Sequence, residues 1–100
     1  MKLILITAID EYEKDIKNIL KHSGIKTFTV QSVQGYQNNE ENDLSSWFVS
    51  DSIATDSILF TVFAKKECVE KINERVVNFN QTQTLDTKIH LATIDIENSI

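Results

Sequence analysis

Hydrophobic positions along the chain follow two rhythms. Residues 3–9 (Leu-Ile-Leu-Ile-Thr-Ala-Ile) are apolar at odd and even positions alike, the pattern of a strand covered on both faces. Tyr12, Ile16, Ile19 and Leu20 then recur at helical spacing. Asp10 is the expected N-cap, Glu11 and Glu13 suit the first turn, and Gly24 supplies the left-handed residue after the last one. Over residues 26–36, Phe28 and Val30 alternate with Thr27, Thr29 and Gln31, which predicts a half-buried strand. Residues 37–43 carry no apolar side chain and predict a solvated loop, and Trp47, Phe48 and Val49 beyond them fit either a short strand or a loop tip. Residues 58–64 predict a second strand apolar on both faces. After Lys65 and Lys66 a second helix presents Val69, Ile72, Val76 and Phe79; residues 80–87 form a polar connection and residues 89–96 the last strand.

The order β-α-β, long loop, β-α-β is that of an α+β, ferredoxin-like βαββαβ sandwich with an antiparallel sheet in the order 4-1-3-2. That order makes the first and third strands central, and these carry the longest doubly apolar runs. Both helices of such a sandwich cover the same sheet face. The other face holds Leu3, Leu5 and Ile9, Leu59 and Phe63, and Ala92, Ile94 and Ile96, so it too needs a cover. Self-association of the sheet faces in a closed ring provides one; folding back of residues 37–57 is the alternative.

Composition narrows the class further. A chain of 100 residues makes one domain, residues 1–100. The net charge of -5 argues against nucleic-acid binding, which needs a basic surface to release counterions. The single cysteine excludes an internal disulfide and fits a reducing compartment. Nothing approaches the ~20 apolar residues of a membrane span. The short apolar run near the start meets Asp10, Glu11 and Glu13 at once, and so reads as a buried strand rather than a signal peptide. A cytoplasmic protein without direct membrane insertion is expected.

Several short motifs, in order, resemble the PII signal-transduction family: Gly24-Ile25 and Thr29-Val30 at the entry to the second strand, then Val33-Gln34-Gly35-Tyr36 where that family begins its T-loop. Residues 57–80 are similar to its third strand and second helix, and residues 88–100 to its last strand. The resemblance implies a homotrimer with adenine-nucleotide clefts between subunits, and a loop, here residues 37–57, that docks on a target such as a membrane transporter. It places Thr29, Gly35 and Lys88 near the ligand, and Tyr36, Trp47 and Phe48 in the partner-binding loop, where the adjacent aromatics Trp47 and Phe48 suit either a partner interface or packing on a neighbouring subunit or the sheet. The phosphate loop departs from the family pattern. Residues 81–88 contain no glycine, Glu40 and Glu41 follow the loop base, and the chain ends Glu97-Asn98-Ser99-Ile100 without basic residues. Ordinary ATP binding is therefore expected to be lost, and no cofactor is required. Trp47 ahead of residues 56–60 is also similar to CutA-like proteins, which implies divalent-metal binding or tolerance as an alternative function.

The side-chain chemistry adds few candidates. His22, Cys68 and His90, with the acidic Glu40, Glu41 and Asp43, are the potential metal ligands, but no C-x-x-C or H-x-x-x-H spacing occurs. His22 also suits the negative end of the first helix, His90 a packed or interface position, and Cys68 a buried one. No catalytic residue is assigned: there is no Ser/His/Asp arrangement and no Gly-rich phosphate loop, so a small ferredoxin-like enzyme is only the third reading.

Overall fold

A computed structural model describes residues 1–38, 52–83 and 87–100. Trp47, Phe48, Glu40, Glu41 and Asp43 lie outside the described residues. Strand β1 (Lys2–Ile9) leads through a 3-10 turn (Asp10–Tyr12) into helix α1 (Glu13–His22). Strands β2 (Thr29–Asn38) and β3 (Ser52–Ala64), helix α2 (Lys66–Thr82) and strand β4 (His90–Asp95) follow. The sheet order is β2-β3-β1-β4 with every pairing antiparallel, the ferredoxin-like order read from the sequence.

Alternation divides the central strands. Ile4, Ile6 and Ala8 of β1 and Ile58, Phe60, Val62 and Ala64 of β3 are buried beneath the helices. Ile16, Ile19 and Leu20 of α1 and Val69, Ile72 and Val76 of α2 close over them, joined by Ile89. Phe60 is fully buried, with its ring centroid 5.6 Å from that of Phe28. On the opposite face, cross-strand register sets Ile94, Leu3 and Phe63 in one row. Phe63 is 57% exposed and Ile94 46%. The next rows mix in polar side chains: Ala92, Leu5, Thr61 and Thr29, then His90, Thr7, Leu59 and Gln31. The second face is thus apolar mainly at the Leu3 end.

Boundaries differ from the sequence expectations for identifiable reasons. Asp10 does not cap α1; it opens the 3-10 turn, and the N-cap position falls to Tyr12, which makes no side-chain capping bond. The C-terminus behaves as expected. Gly24 has φ +86°, and its N–H donates to the Lys21 carbonyl at 3.2 Å while the Ile25 N–H donates to the Leu20 carbonyl at 3.0 Å, a Schellman closure. Strand β2 starts at Thr29, not residue 26, and Val30, opposite Phe60, is 38% exposed because it lies on an edge strand beyond the helices. β2 and β3 pair from Thr29–Thr61 out to Asn38–Ser52, so both ends of the segment expected as a loop are ladder. A backbone ladder needs no apolar side chains, and here Gln34 Nε2 donates to Asp56 Oδ1 at 2.9 Å across it. Helix α2 likewise runs through Asn80, Gln81 and Thr82, where a connection is expected from polarity alone. At the far end of the sheet Lys2 donates to Asp95; that hydrogen bond first, and the lysine charge second, hold the Asp95 carboxyl below its ordinary pKa.

Removing the Phe60 ring leaves a void between β3 and both helices. Phe60→Ala is expected to cost about 3–5 kcal/mol of unfolding free energy, measured by urea denaturation.

Candidate functional site

Alternation along β1 and the β2–β3 ladder builds a cleft of about 470 Å³ beside the base of the β2–β3 arm. Its walls are Thr7, Ala8 and Ile9 of β1, Val33, Gln34, Gly35 and Tyr36 of β2, and Ser57 of β3. Thr87, Lys88 and His90, at the entrance to β4, complete it. Gly35, Tyr36 and Lys88, singled out from the sequence for ligand and partner binding, are therefore brought together, and His90 joins them. Thr29 is not. It pairs with Thr61, six residues along β2 from Gly35, or roughly 20 Å at strand rise.

The cleft is mixed in character. Lys88 and His90 are its cationic or protonatable groups, and none of the described lining residues is a carboxylate. Asp56 stands just outside, engaged by Gln34. Gly35 matters here for space rather than for backbone angle: a Cβ at this position would lie 2.9 Å from Ser57 Oγ, whose hydroxyl donates to the Thr55 carbonyl at 3.2 Å. Glycine thus keeps the cleft open at the arm base.

The residues on either side of Lys88, Thr87 and Ile89, are both held by side-chain hydrogen bonds. The Tyr12 hydroxyl is 3.1 Å from the Thr87 carbonyl, 2.9 Å from Thr87 Oγ1 and 3.3 Å from Gln83 Oε1. Its ring meets Phe79 edge-on at 5.0 Å. Asn80 donates through Nδ2 to the Ile89 carbonyl at 3.0 Å and accepts from the Ile89 N–H at 2.9 Å. Tyr12 was invisible as a site residue because 75 residues separate it from Thr87, and Asn80 because a polar residue in the expected connection reads as solvated. Thr7 left a signal: it is the one polar residue among positions 3–9.

The candidate metal ligands do not converge. His22 is exposed in a groove between the helices near Arg75, half-buried Cys68 has its Sγ facing Gly24, and His90 lies on the open sheet face. Among the described residues no group of three His, Cys, Asp or Glu side chains is placed to hold a metal ion. Nor, among them, is any helix long and apolar enough to cross a membrane.

The family model described as nitrogen regulatory protein P-II matches residues 1–97. The chain belongs to the P-II family. Of the two resemblances read from the sequence, the match falls on the first. Among solved structures the chain is similar to CPII, a nitrogen regulatory PII-like protein from Thiomonas intermedia K12, bound to ADP, AMP and bicarbonate. The TM-score is 0.64 at 14% identity, over 99% of this chain and 94% of that one. CPII bound to ADP, AMP and acetate gives 0.62 at 15% identity, over 97% and 88%. At such identities the likeness carries the fold, and the P-II assignment rests on the family match. No curated protein matches the chain.

Ala at position 35 must displace the Ser57 hydroxyl. Gly35→Ala is expected to cost about 1–2 kcal/mol. In a Ser57→Ala background the cost should fall by at least half, a coupling read from a double-mutant cycle of denaturation midpoints.

Proposed function

We propose that this P-II protein is a homotrimeric regulator that senses a small ligand in clefts between subunits and passes the signal to a partner through the β2–β3 arm. The observation that carries the reading is the continuity of the cleft with the uncovered sheet face. Thr7, Ile9, Val33, Gly35, Ser57 and His90 occupy open-face register positions and also line the cleft. A second copy seated on that face would cover the Ile94–Leu3–Phe63 row and wall the cleft on its open side. Thr29 then acts at the site from the neighbouring copy, since within one chain it is too far from Gly35 and Lys88.

The chemistry favours a small anionic or polar ligand, held by Lys88 with hydroxyl and amide groups around it. ADP, AMP, bicarbonate and acetate, bound by CPII, are ligands of that class. Triphosphate is disfavoured. Backbone N–H groups approach phosphates most closely where glycine allows it, and residues 81–88 hold none. The arm is the output: Tyr36, 64% exposed at its base, leads into the segment containing Trp47 and Phe48, an aromatic pair suited to anchoring a protein partner, for which a membrane transporter is our candidate. The site then lies in the cytoplasm.

Two measurements test this. Light scattering at micromolar concentration should give about 34 kDa, three times the 11.4 kDa chain, and Phe63→Asp should return a folded 11.4 kDa species with unchanged far-UV circular dichroism. A wild-type monomer overturns the proposal. Calorimetry with ATP should show a dissociation constant on the order of millimolar or weaker, because several charge-assisted contacts are missing, each about 1.5–3 kcal/mol. A micromolar value would mean that the cleft holds triphosphate without glycine.

A further inference from the structure

We propose that Tyr12 and Asn80 are positioning residues for Lys88, clamping Thr87 and Ile89 on either side of it so that the lysine stands fixed at the cleft for an oxyanion. The inference rests on the reading of the cleft as a ligand site. Its physical content is the hydrogen bonding on either side of Lys88. Thr87 is bound by the Tyr12 hydroxyl through its carbonyl at 3.1 Å and its Oγ1 at 2.9 Å. Ile89, 3% exposed, is bound by the Asn80 side-chain amide through both its N–H and its carbonyl. A phenol has one proton to donate and lone pairs to accept with, so Tyr12 donates to a carbonyl oxygen while accepting from the Thr87 hydroxyl. The Asn80 amide presents donor and acceptor side by side, as a neighbouring strand would, and so sets the register in which β4 begins.

Lys88 is thus an exposed side chain on a backbone held at the residues before and after it. A flexible connection would have to be ordered when an anion binds, and that ordering weakens affinity. Glycine eases close approach of a backbone to an anion and residues 81–88 hold none, so a side-chain charge presented at a fixed position is the remaining device that Lys88 offers. The clamp also links the site to α1. Tyr12 is the N-cap of that helix and packs on Phe79, so its ring is held independently of the hydroxyl.

The test separates ring from hydroxyl. Tyr12→Phe keeps the edge-on contact with Phe79 and deletes the hydrogen bonds, and Asn80→Ala removes the second half of the clamp. Backbone 15N relaxation on the full chain should give Lys88 a rigid order parameter of about 0.85 in the wild type and below about 0.6 in Tyr12→Phe, while α1 and β1 stay unchanged. An ADP titration followed at the Lys88 amide should weaken about fivefold in Tyr12→Phe, the loss of one net hydrogen bond's worth of preorganisation, with Lys88→Met as the control that removes the charge. An unchanged Lys88 order parameter in both variants overturns the clamp, as does a drop shared equally by α1 and β1. If ADP leaves Lys88 unperturbed in the wild type, the ligand reading of the cleft fails; the order parameters then still decide the clamp on their own.

Discussion

The pairing of β1 with β3 at the centre of the sheet is the constraint from which the rest follows. Both strands are flanked by neighbours on each edge, so their backbone polar groups are satisfied within the sheet, and side chains alone decide what covers each face. The even positions are filled by Ile4, Ile6, Ile58, Phe60 and Val62, all at 2% exposure or less, and two amphipathic helices are enough to seal them. The odd positions of the same strands are apolar at the Leu3–Phe63 end and mixed with Thr7, Ser57 and Thr61 further along, and no element among the described residues covers them. A fold that spends both helices on one face leaves the other without cover among the described residues.

The position of the cleft follows from that arrangement. It forms where the β2–β3 ladder continues past the helices, between the end of β1 and the entrance to β4. Gly35 keeps it open by leaving room for Ser57, and Lys88 enters it from a connection fixed by Tyr12 and Asn80. The site is thus made by the ends of central strands and one helix-to-strand connection, while the arm projects from its edge. On our proposal a ligand there would touch both the subunit contact and the base of the arm, an adjacency through which binding could bias a loop.

Membership of the P-II family and departure from its phosphate-loop pattern are compatible for a physical reason. The fold depends on the alternation of the central strands and on the two helix stripes, which this chain keeps. The phosphate-loop pattern that the resemblance implies involves only a few residues of one connection, and residues 81–88 hold no glycine, so its loss leaves the alternation and the helix stripes untouched. Structural likeness at 14% identity is consistent with this: packing tolerates wide substitution if pattern and volume persist.

The periodicity of residues 3–9, 12–20, 58–64 and 69–79 was sufficient by itself to determine strand and helix identities and the central place of β1 and β3; the second sheet face, expected to be apolar throughout, is apolar mainly at the Leu3 end. Gly24 was legible too, because only its backbone freedom closes α1 in this way. The ladder ends of β2 and β3 and the last turn of α2 were not legible: polar residues sustain backbone pairing without leaving a hydrophobic signature. The site was half legible. Gly35, Tyr36 and Lys88 stood out by motif, and Asn80 holds Ile89 from only nine residues away, but Thr7, Ser57 and Tyr12 reach the site only through cross-strand register and a contact between the start of α1 and a segment 75 residues away. Such contacts carry no local periodicity. They exist only once the sheet order has brought those elements together, and for that reason the tertiary structure alone decided them.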